Sequence, residues 1–534
     1  MGGGHCERSR SPNHQMAKST PSTLRLLFLA AAAAALLLPP AASDVPPPLP
    51  VLPIPTARQL RWQLDSPLSL FLHFGINTFT GSEWGSGHAP PSAFDPGDGL
   101  DARQWVRVAR SAGFSRLVIT AKHHDGFCLW PSQYTDYSVA SSPWRAGKGD
   151  VVGELARAAR EEGVELGIYL SPWDRHEATY GKTRAYNEFY MGQMRELLTR
   201  YGEITYVFLD GAPGKDKTDM NYLFDSWFGL IRQLQPRAAI FSDAGPDTRW
   251  VGDEAGVAGS TSWSMINGSD VTIGGTNYQY LKSGDAAGRD WVAPECDVSI
   301  RPGWFWHASE SPKSGRQLLD IYFKSLGRNC HLLLNVPPNS SGLFSEEDIR
   351  SLQEFHELRT SIFSNNLAQT ALISASSTRG GTQCDQFSPG KVLEEDINSY
   401  WAPEEDKTEW ALYLQFPGTV SFNLLKVQEP IHMGQRIIKF HLDAVNKDGE
   451  WIEVTSGTTV GYQRLLHFPM VEAELLRFVV DESRAEPLVS YLGLYSADEL
   501  SITSDMFDLG SRAPWKGSIV WKWVAKLAGL IVVD

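Results

Sequence analysis

Short apolar runs alternate with amphipathic stretches in the first two thirds of this chain. The clearest apolar runs are Leu117–Ala121, Leu166–Leu170, Ile204–Leu209 and Leu332–Val336. Continuous apolar runs of this length are typical of strands that are buried on both faces. Helical periodicity lies between them, as in Tyr186–Tyr201. The alternation predicts an α/β fold with a parallel sheet, and about eight repeats predict a (β/α)8-like TIM barrel over residues 59–365.

The pattern changes after Phe363. Residues 370–497 contain short β-type runs, such as Trp410–Phe416 and Leu475–Val480, with turn residues between them and few helical signals. This pattern predicts a C-terminal all-β sandwich. Residues 498–534 form an atypical tail, for which the pattern gives no physical account.

The N-terminus carries a targeting signal. Leu26–Leu38 is unbroken and apolar, follows Arg25, and precedes Pro-Pro-Ala-Ala-Ser. This arrangement predicts a secretory signal peptide over residues 1–43, followed by a Pro-rich linker over residues 44–58. The run is too short for a stable membrane span in the mature protein, and none is expected.

The amino-acid composition argues against some classes of binding partner and favours others. The net charge of −14 argues against a nucleic-acid partner, because phosphate binding needs basic surface. The 18 Trp and 17 Tyr residues suit carbohydrate surfaces, although most must fill cores. Sequons at Asn267 and Asn339 predict N-glycosylation sites of a secreted protein. The cysteines show no metal-type spacing, and the sequence leaves their pairing open.

Asp210 is the strongest catalytic candidate. The apolar run before it stops abruptly at Asp210-Gly211 and is followed by turn residues. In a βα barrel the C-terminal strand ends form the active site, so this acid is predicted to face substrate. The alternative is a structural helix-capping aspartate.

Other strand ends carry polar and aromatic side chains. They are His73 with the following pair Glu83-Trp84, the pair His123-His124, and Tyr169. Adjacent histidines on a strand point to opposite sides and chelate poorly, so a metal site is not favoured. Neutral imidazoles that bond sugar hydroxyls are the favoured interpretation.

Glycoside hydrolysis needs a second carboxyl group, and the sequence offers several. Glu295 is favoured because Trp291 and the segment Trp304-Phe305-Trp306 frame it, and aromatic surroundings raise a carboxyl pKa. The rival acids are Asp253, Glu254 and Asp297. A structural ion pair between Glu295 and Arg301 is the alternative.

Several longer segments carry a family resemblance. They are FLHFGINTFTGSEWGSG, LVITAKHHDGFCLW, ELGIYLSPWDRH, YVFLDGAPG, WVAPECDVSIRPGWFWH and LLLNVPPNSSGLF. Together they resemble the α-L-fucosidases of glycoside hydrolase family 29, most closely plant secreted enzymes of the α-1,3/4-preferring branch. The resemblance implies Asp210 as nucleophile and Glu295 as acid/base. It also implies a fucose pocket lined by His73, Glu83, Trp84, His123, His124 and Tyr169.

Residues 370–497 resemble a discoidin-like, galactose-binding type of β-sandwich. Such modules often bind galactosides, and a carbohydrate-binding role and a purely structural role both stay open here.

The expected function is therefore a retaining exo-α-L-fucosidase of the apoplast or cell wall. Its substrates would be glycans or glycoproteins with terminal, α-1,3/1,4-linked fucose of the Lewis type. Three alternatives remain. They are a non-catalytic fucose-binding lectin, a metal-dependent barrel hydrolase that uses the adjacent histidines, and a structural cell-wall protein held by the β-sandwich.

Overall fold

The computed structural model describes residues 45–211, 220–275 and 277–497. The predicted signal peptide and the tail 498–534 lie outside the described residues.

Eight parallel strands close into a barrel. They are β1 Leu68–Leu72, β2 Arg116–Lys122, β3 Glu165–Leu170, β4 Tyr206–Phe208, β5 Ala239–Phe241, β6 Thr248–Trp250, β9 Ala293–Ser299 and β10 His331–Asn335. Their order around the barrel is β1-β2-β3-β4-β5-β6-β9-β10, with β10 pairing back to β1. The predicted TIM barrel is confirmed. The irregular stretch 250–310 contributes β9, and a small ribbon of β7 Met265–Ile266 and β8 Asp290–Trp291 lies off the barrel.

Helices precede, connect and follow the barrel strands. Their bounds are Ala57–Leu64, Ile76–Thr80, Ala102–Ser111, Val151–Glu162, Thr183–Arg200, Phe224–Leu234, Tyr278–Ser283, Gly315–Lys324 and Glu346–Phe363. Local chemistry sets their ends. For example, Asp150 caps the backbone N–H of Gly153, and Gly163 adopts a left-handed conformation that ends the same helix. Within the described ranges, no helix is both long and apolar enough to cross a bilayer.

Aromatic side chains fill the barrel interior beneath its C-terminal end. The rings of Phe208 and Phe241 stack at 3.9 Å between centroids, and Phe71 and Tyr169 pack against the Phe208 ring. All are buried, so they form a rigid apolar floor. Residues that follow the strand ends stand on this floor.

The C-terminal region is an antiparallel sheet with its own core. Its strands are β11 Leu372–Ala375, β12 Trp410–Gln428, β13 Ile437–Val445, β14 Trp451–Thr458, β15 Arg464–Ser483 and β16 Tyr491–Tyr495. The predicted all-β character is confirmed, but the runs 410–416 and 424–427 belong to one strand. A register shift between Gln415 and Val420 separates them, which accommodates Pro417-Gly418 without ending the strand.

One disulfide joins neighbouring barrel strands. Cys296 in β9 is bonded to Cys330, which directly precedes β10. Cys128 and Cys384 are free. The structure thus supplies a pairing that the sequence left open.

Candidate active site

Asp210 stands at the C-terminal edge of the barrel. It follows β4 by two residues, and the preceding Leu209 N–H donates to the carbonyl of Phe241 at 3.0 Å. The Asp210 side chain is 30% exposed. The next residue packs closely, because a Cβ at Gly211 would lie 2.6 Å from Oδ1 of Asp243 and would require that side chain to move. Asp210 is therefore presented to solvent on a tightly packed support, as its position after an apolar run predicted.

Two polar side chains contact Asp210. The Tyr169 hydroxyl donates to Oδ2 at 3.2 Å, and Nε2 of His124 lies 3.6 Å from the same oxygen. The other ring nitrogen of His124, Nδ1, is 2.7 Å from Oγ of Ser171, whose hydroxyl donates to the Trp173 carbonyl. We therefore assign the His124 proton to Nδ1, which leaves Nε2 as an acceptor beside Asp210.

Three histidine rings lie close together at this edge. The His123 ring is 4.2 Å from the His124 ring and 5.5 Å from the His73 ring, measured between centroids. Burial lowers the pKa of all three, that of His73 to about 3, so they are neutral at physiological pH. Oδ1 of Asn335 accepts from Nδ1 of His73 at 2.9 Å, which leaves Nε2 as an acceptor. The cluster therefore offers hydrogen bonds to hydroxyl groups without a net charge.

The loop residues Glu83 and Trp84 lie at the rim of this cluster. The Glu83 carboxylate accepts the backbone N–H groups of Trp304 at 2.9 Å and of Phe305 at 3.3 Å. Trp84 is 56% exposed and packs edge to face on Trp173, with centroids 5.9 Å apart. Both predicted residues are thus brought to the site, Glu83 through backbone anchoring and Trp84 as an exposed aromatic surface.

Glu295 does not lie opposite Asp210. It is 0% exposed inside the barrel, where Oε1 accepts the Tyr206 hydroxyl at 2.6 Å and Oε2 lies 3.9 Å from Nε2 of His331. Tyr206 and His331 are the first residues of β4 and β10, so Glu295 belongs to the layer at the N-terminal end of the barrel. Burial raises its pKa to about 8, against the hydrogen bond from Tyr206, and the same burial closes it off from substrate. The expected apposition is therefore corrected, and Arg301 pairs with Asp348 instead.

Among the rival acids, Glu254 is the one whose position suits the site. It lies on the exposed loop after β6, and its Oε2 accepts Nε1–H of Trp304 at 3.2 Å. Partial burial, and then the negative charge of Asp210, raise the pKa of Glu254 against this hydrogen bond. Asp253 pairs with Lys282, and Asp297 is buried under Trp250. The sequence Asp253-Glu254 could not tell which of the two acids is engaged in an ion pair and which contacts Trp304.

A buried ion pair connects the strand that carries His123 and His124 to the loop after β3. Nζ of Lys122, the last residue of β2, lies 2.8 Å from Oδ2 of Asp174, and both side chains are almost fully buried. Asp174 also accepts the backbone N–H of His176, so the pair fixes the loop after β3 to the strand that presents His123 and His124. The described residues contain no group of three or more His, Cys, Asp or Glu side chains placed to hold a metal ion.

Comparison with known proteins identifies the family. The family described as Alpha-L-fucosidase matches residues 88–357 of this chain. Alpha-L-fucosidase 1 of Arabidopsis thaliana is 63% identical over 452 residues, which cover 84% of this chain and 89% of that protein. The chain belongs to the α-L-fucosidase family. The predicted family is thereby confirmed.

Solved structures of fucosidases share the architecture. The crystal structure of SpGH29 superposes with a TM-score of 0.80 at 40% identity, and covers 84% of this chain and 100% of that one. The Ruminococcus gnavus GH29 fucosidase in complex with fucose gives a TM-score of 0.78 at 31% identity, with coverages of 87% and 98%. The barrel with its following sheet is therefore the arrangement found in GH29 fucosidase structures.

Several residues at the site of this α-L-fucosidase family member were not predicted from the sequence. Trp304 was noted only as a neighbour of Glu295, yet it contacts Glu83, Glu254 and His73. Asn335 and Lys122 sit at strand ends, where a polar residue after an apolar run was the available clue.

The two predicted sequons lie in different settings. Nδ2 of Asn267 donates to Oδ2 of Asp285 at 3.0 Å, so its amide is already engaged. Oδ1 of Asn339 accepts the N–H groups of Ser341 and Leu343, and the following Ser340 is exposed. N-glycosylation at either position stays a prediction.

Proposed function

We propose that this family member is a retaining exo-α-L-fucosidase that releases terminal α-L-fucose by double displacement. The observation that carries this proposal is that two carboxyl groups lie at the same end of the barrel, Asp210 after β4 and Glu254 on the loop after β6, where the charge of Asp210 acts on Glu254. Retaining glycosidases need such a pair, one as nucleophile and one as acid/base.

Asp210 is proposed as the nucleophile that attacks the anomeric carbon. The bond from the Tyr169 hydroxyl at 3.2 Å orients its carboxylate. Attack forms a fucosyl-enzyme ester and releases the leaving oxygen. Orientation of the attacking atom is worth several kcal/mol in such reactions.

Glu254, rather than Glu295, is proposed as the acid/base. Its raised pKa favours the protonated form that must donate to the glycosidic oxygen, and its exposed position admits the leaving group. After the first step Asp210 is esterified and its charge is lost, so the pKa of Glu254 falls. The ionised Glu254 can then activate the hydrolytic water, as a retaining mechanism requires.

The fucose ring is proposed to lie on the aromatic and histidine-lined surface between these acids. His73, His123 and His124 are neutral and close together, so they can bond ring hydroxyls without attracting ions. Tyr169, Glu83 and Trp84 complete the predicted set. The substrate partner is a fucosylated glycan or glycoprotein, and the proposed chemistry requires no cofactor.

Azide rescue tests both acids at once. We expect Asp210→Ala to lose activity by several orders of magnitude, and added azide to attack directly and give the β-fucosyl azide. We expect Glu254→Ala to keep activity on a nitrophenyl fucoside in azide and to give the α-fucosyl azide, because the ester still forms. Product configuration is read by NMR. Glu295→Gln is the matched control with near wild-type kinetics, and unimpaired hydrolysis by Asp210→Ala would refute the proposal.

A preference for α-1,3/1,4 linkages is proposed from the motif resemblance. Digestion of matched 2-, 3-, 4- and 6-linked fucosides would test it, with faster release from the 3- and 4-linked compounds expected. Equal rates on all four compounds would contradict the preference.

The C-terminal sheet is proposed to be a discoidin-like module that binds glycans. The antiparallel sheet with its separate core supports this interpretation. Full-length Asp210→Ala protein on a glycan array provides the test. Binding to non-fucosylated galactosides is expected, and its absence would favour a structural role.

Secretion and N-glycosylation are proposed from the N-terminal sequence pattern and the sequons. The Cys296–Cys330 disulfide agrees with an oxidising compartment. N-terminal sequencing of protein recovered from plant apoplastic fluid would test the cleavage position, and a mature chain that still begins at Met1 would contradict it.

A further inference from the structure

The indole of Trp304 connects two acidic residues of the site. Its Nε1–H donates to Oε2 of Glu254 at 3.2 Å, while its backbone N–H donates to Oε2 of Glu83 at 2.9 Å. Neither bond followed from the sequence, because these residues lie on three separate segments of the chain.

Trp304 is itself held from several directions. Nδ2 of Asn335 donates to its carbonyl at 2.8 Å, and its ring lies 4.9 Å from the His73 ring and 6.3 Å from the Phe71 ring. Asn335 also accepts from the His73 backbone and ring. The indole therefore has a fixed direction, whereas Glu254 stands on an exposed loop with several rotamers open to it.

Glu83 contacts the main chain around Trp304 closely. Its carboxylate accepts from Trp304 and Phe305, and a Cβ at Gly303 would lie 2.6 Å from Oε1 of Glu83. A larger residue at position 303 would displace the Glu83 carboxylate. The two hydrogen bonds from backbone N–H groups indicate that Glu83 anchors the segment that carries the indole.

We infer that Trp304 is a positioning residue for the acid/base, with its indole N–H holding the Glu254 carboxylate and Glu83 anchoring the Trp304 backbone. This inference rests on the proposed role of Glu254. The consequence is chemical as well as geometric. When Glu254 donates its proton to the leaving oxygen, a carboxylate forms, and an N–H donor already aimed at it stabilises that charge.

Leaving-group dependence distinguishes this role from a merely structural one. Departure of a sugar alcohol needs proton donation, whereas departure of a nitrophenolate hardly does. We expect Trp304→Phe, which keeps a ring but removes the N–H, to lower kcat/KM on a fucosyl disaccharide by about 10-fold or more. The loss on a nitrophenyl fucoside should stay within about threefold, because that substrate tests only binding and nucleophilic attack.

The pH profile gives a second readout. The indole bond lowers the pKa of Glu254, so its loss should move the basic limb of the disaccharide profile upward, by about one pH unit. A general loosening of the site would not move this limb in a defined direction.

Trp306→Phe is the matched control. It removes another indole N–H two residues away, whose acceptor is Oγ of Ser345. Its kcat/KM on the disaccharide and on the nitrophenyl fucoside should both stay at wild-type values. Should Trp304→Phe not fold, Trp304→Leu provides the same comparison of the two substrates, because it also lacks the indole N–H that donates to Glu254.

A double-mutant cycle separates the inference from the proposed function. In a Glu254→Gln background, Trp304→Phe should not lower kcat/KM further on either substrate, because it acts through the carboxylate that Glu254→Gln has removed. Equal losses by Trp304→Phe on both substrates would overturn the positioning role alone. A Glu254→Gln protein without leaving-group dependence would overturn the acid/base assignment and, with it, this inference.

Discussion

Substitution of Glu295 gives the sharpest test of its corrected location. Burial raises its pKa from 4.5 to about 8, against the opposing hydrogen bond from Tyr206. A shift of this size corresponds to about 5 kcal/mol of disfavoured ionisation in the folded state. Glu295 therefore keeps its proton in the folded protein at neutral pH, whereas the unfolded chain releases it.

The sign of the pH dependence follows from proton binding. Between pH 4.5 and about 8 the folded state holds a proton at Glu295 that the unfolded state has lost. The free energy of unfolding therefore falls as pH rises through this window. At pH 7 the accumulated loss is about 3 kcal/mol, and it reaches about 5 kcal/mol above pH 8.

Glu295→Gln removes this titration and keeps the shape of the neutral acid. Its carbonyl can still accept the Tyr206 hydroxyl, and its NH2 group replaces an oxygen for which the structure shows no hydrogen-bond partner within the described residues. We expect similar stability to wild type near pH 4.5 and an increase of about 3 kcal/mol at pH 7. Urea midpoints from tryptophan fluorescence at pH 4.5, 7 and 9 measure the difference.

Glu254→Gln is the control for Glu295→Gln, because it removes a carboxyl group that is exposed. Glu254→Gln, at the exposed rim, should not show a comparable gain in stability toward high pH. If the Glu295→Gln and wild-type curves run parallel at every pH, Glu295 is not held protonated and the reasoning fails. If Glu295→Gln also loses fucosidase activity by 100-fold or more while Glu254→Gln does not, the two acids exchange roles.

Three further substitutions test the support of the site. Tyr169→Phe removes the bond to Asp210 and should lower kcat by about 10-fold or more, measured on a nitrophenyl fucoside. Lys122→Met leaves Asp174 buried without its cation and should cost about 3–5 kcal/mol in chemical denaturation. Cys296→Ser opens a disulfide that spans 34 residues and should cost about 4 kcal/mol under oxidising conditions.

A second lysine substitution serves as the comparison for Lys122→Met. Lys282→Met breaks a more exposed pair with Asp253 and should cost at most about 1 kcal/mol. An equally small cost at Lys122 would show that its pair is not effectively buried. Unchanged kcat in Tyr169→Phe would mean that the hydroxyl does not orient Asp210, and unchanged stability of Cys296→Ser would remove the disulfide from the account of stability.

The sequence by itself determined the strand ends. A carboxylate after the apolar run of β4 and histidines after β1 and β2 had to meet, because parallel strands of a barrel end at the same edge. This local rule placed Asp210, His73, His123, His124 and Tyr169 together without any knowledge of distances. The alternation of short apolar runs with stretches of helical periodicity likewise predicted the barrel. The change to short β-type runs after Phe363 predicted the all-β region.

Only the tertiary structure distinguished the buried acid Glu295 from the exposed acid Glu254. Glu295 and Glu254 both have aromatic neighbours, but one points into the sealed interior and the other stands on a loop above it. That distinction depends on how far along its strand a residue lies and on which side its Cβ points. Such register is fixed by pairing with β10, about 35 residues later in the chain. The contact between Trp304 and Glu254 is of the same kind, because loops from different barrel units meet only after the strands have closed.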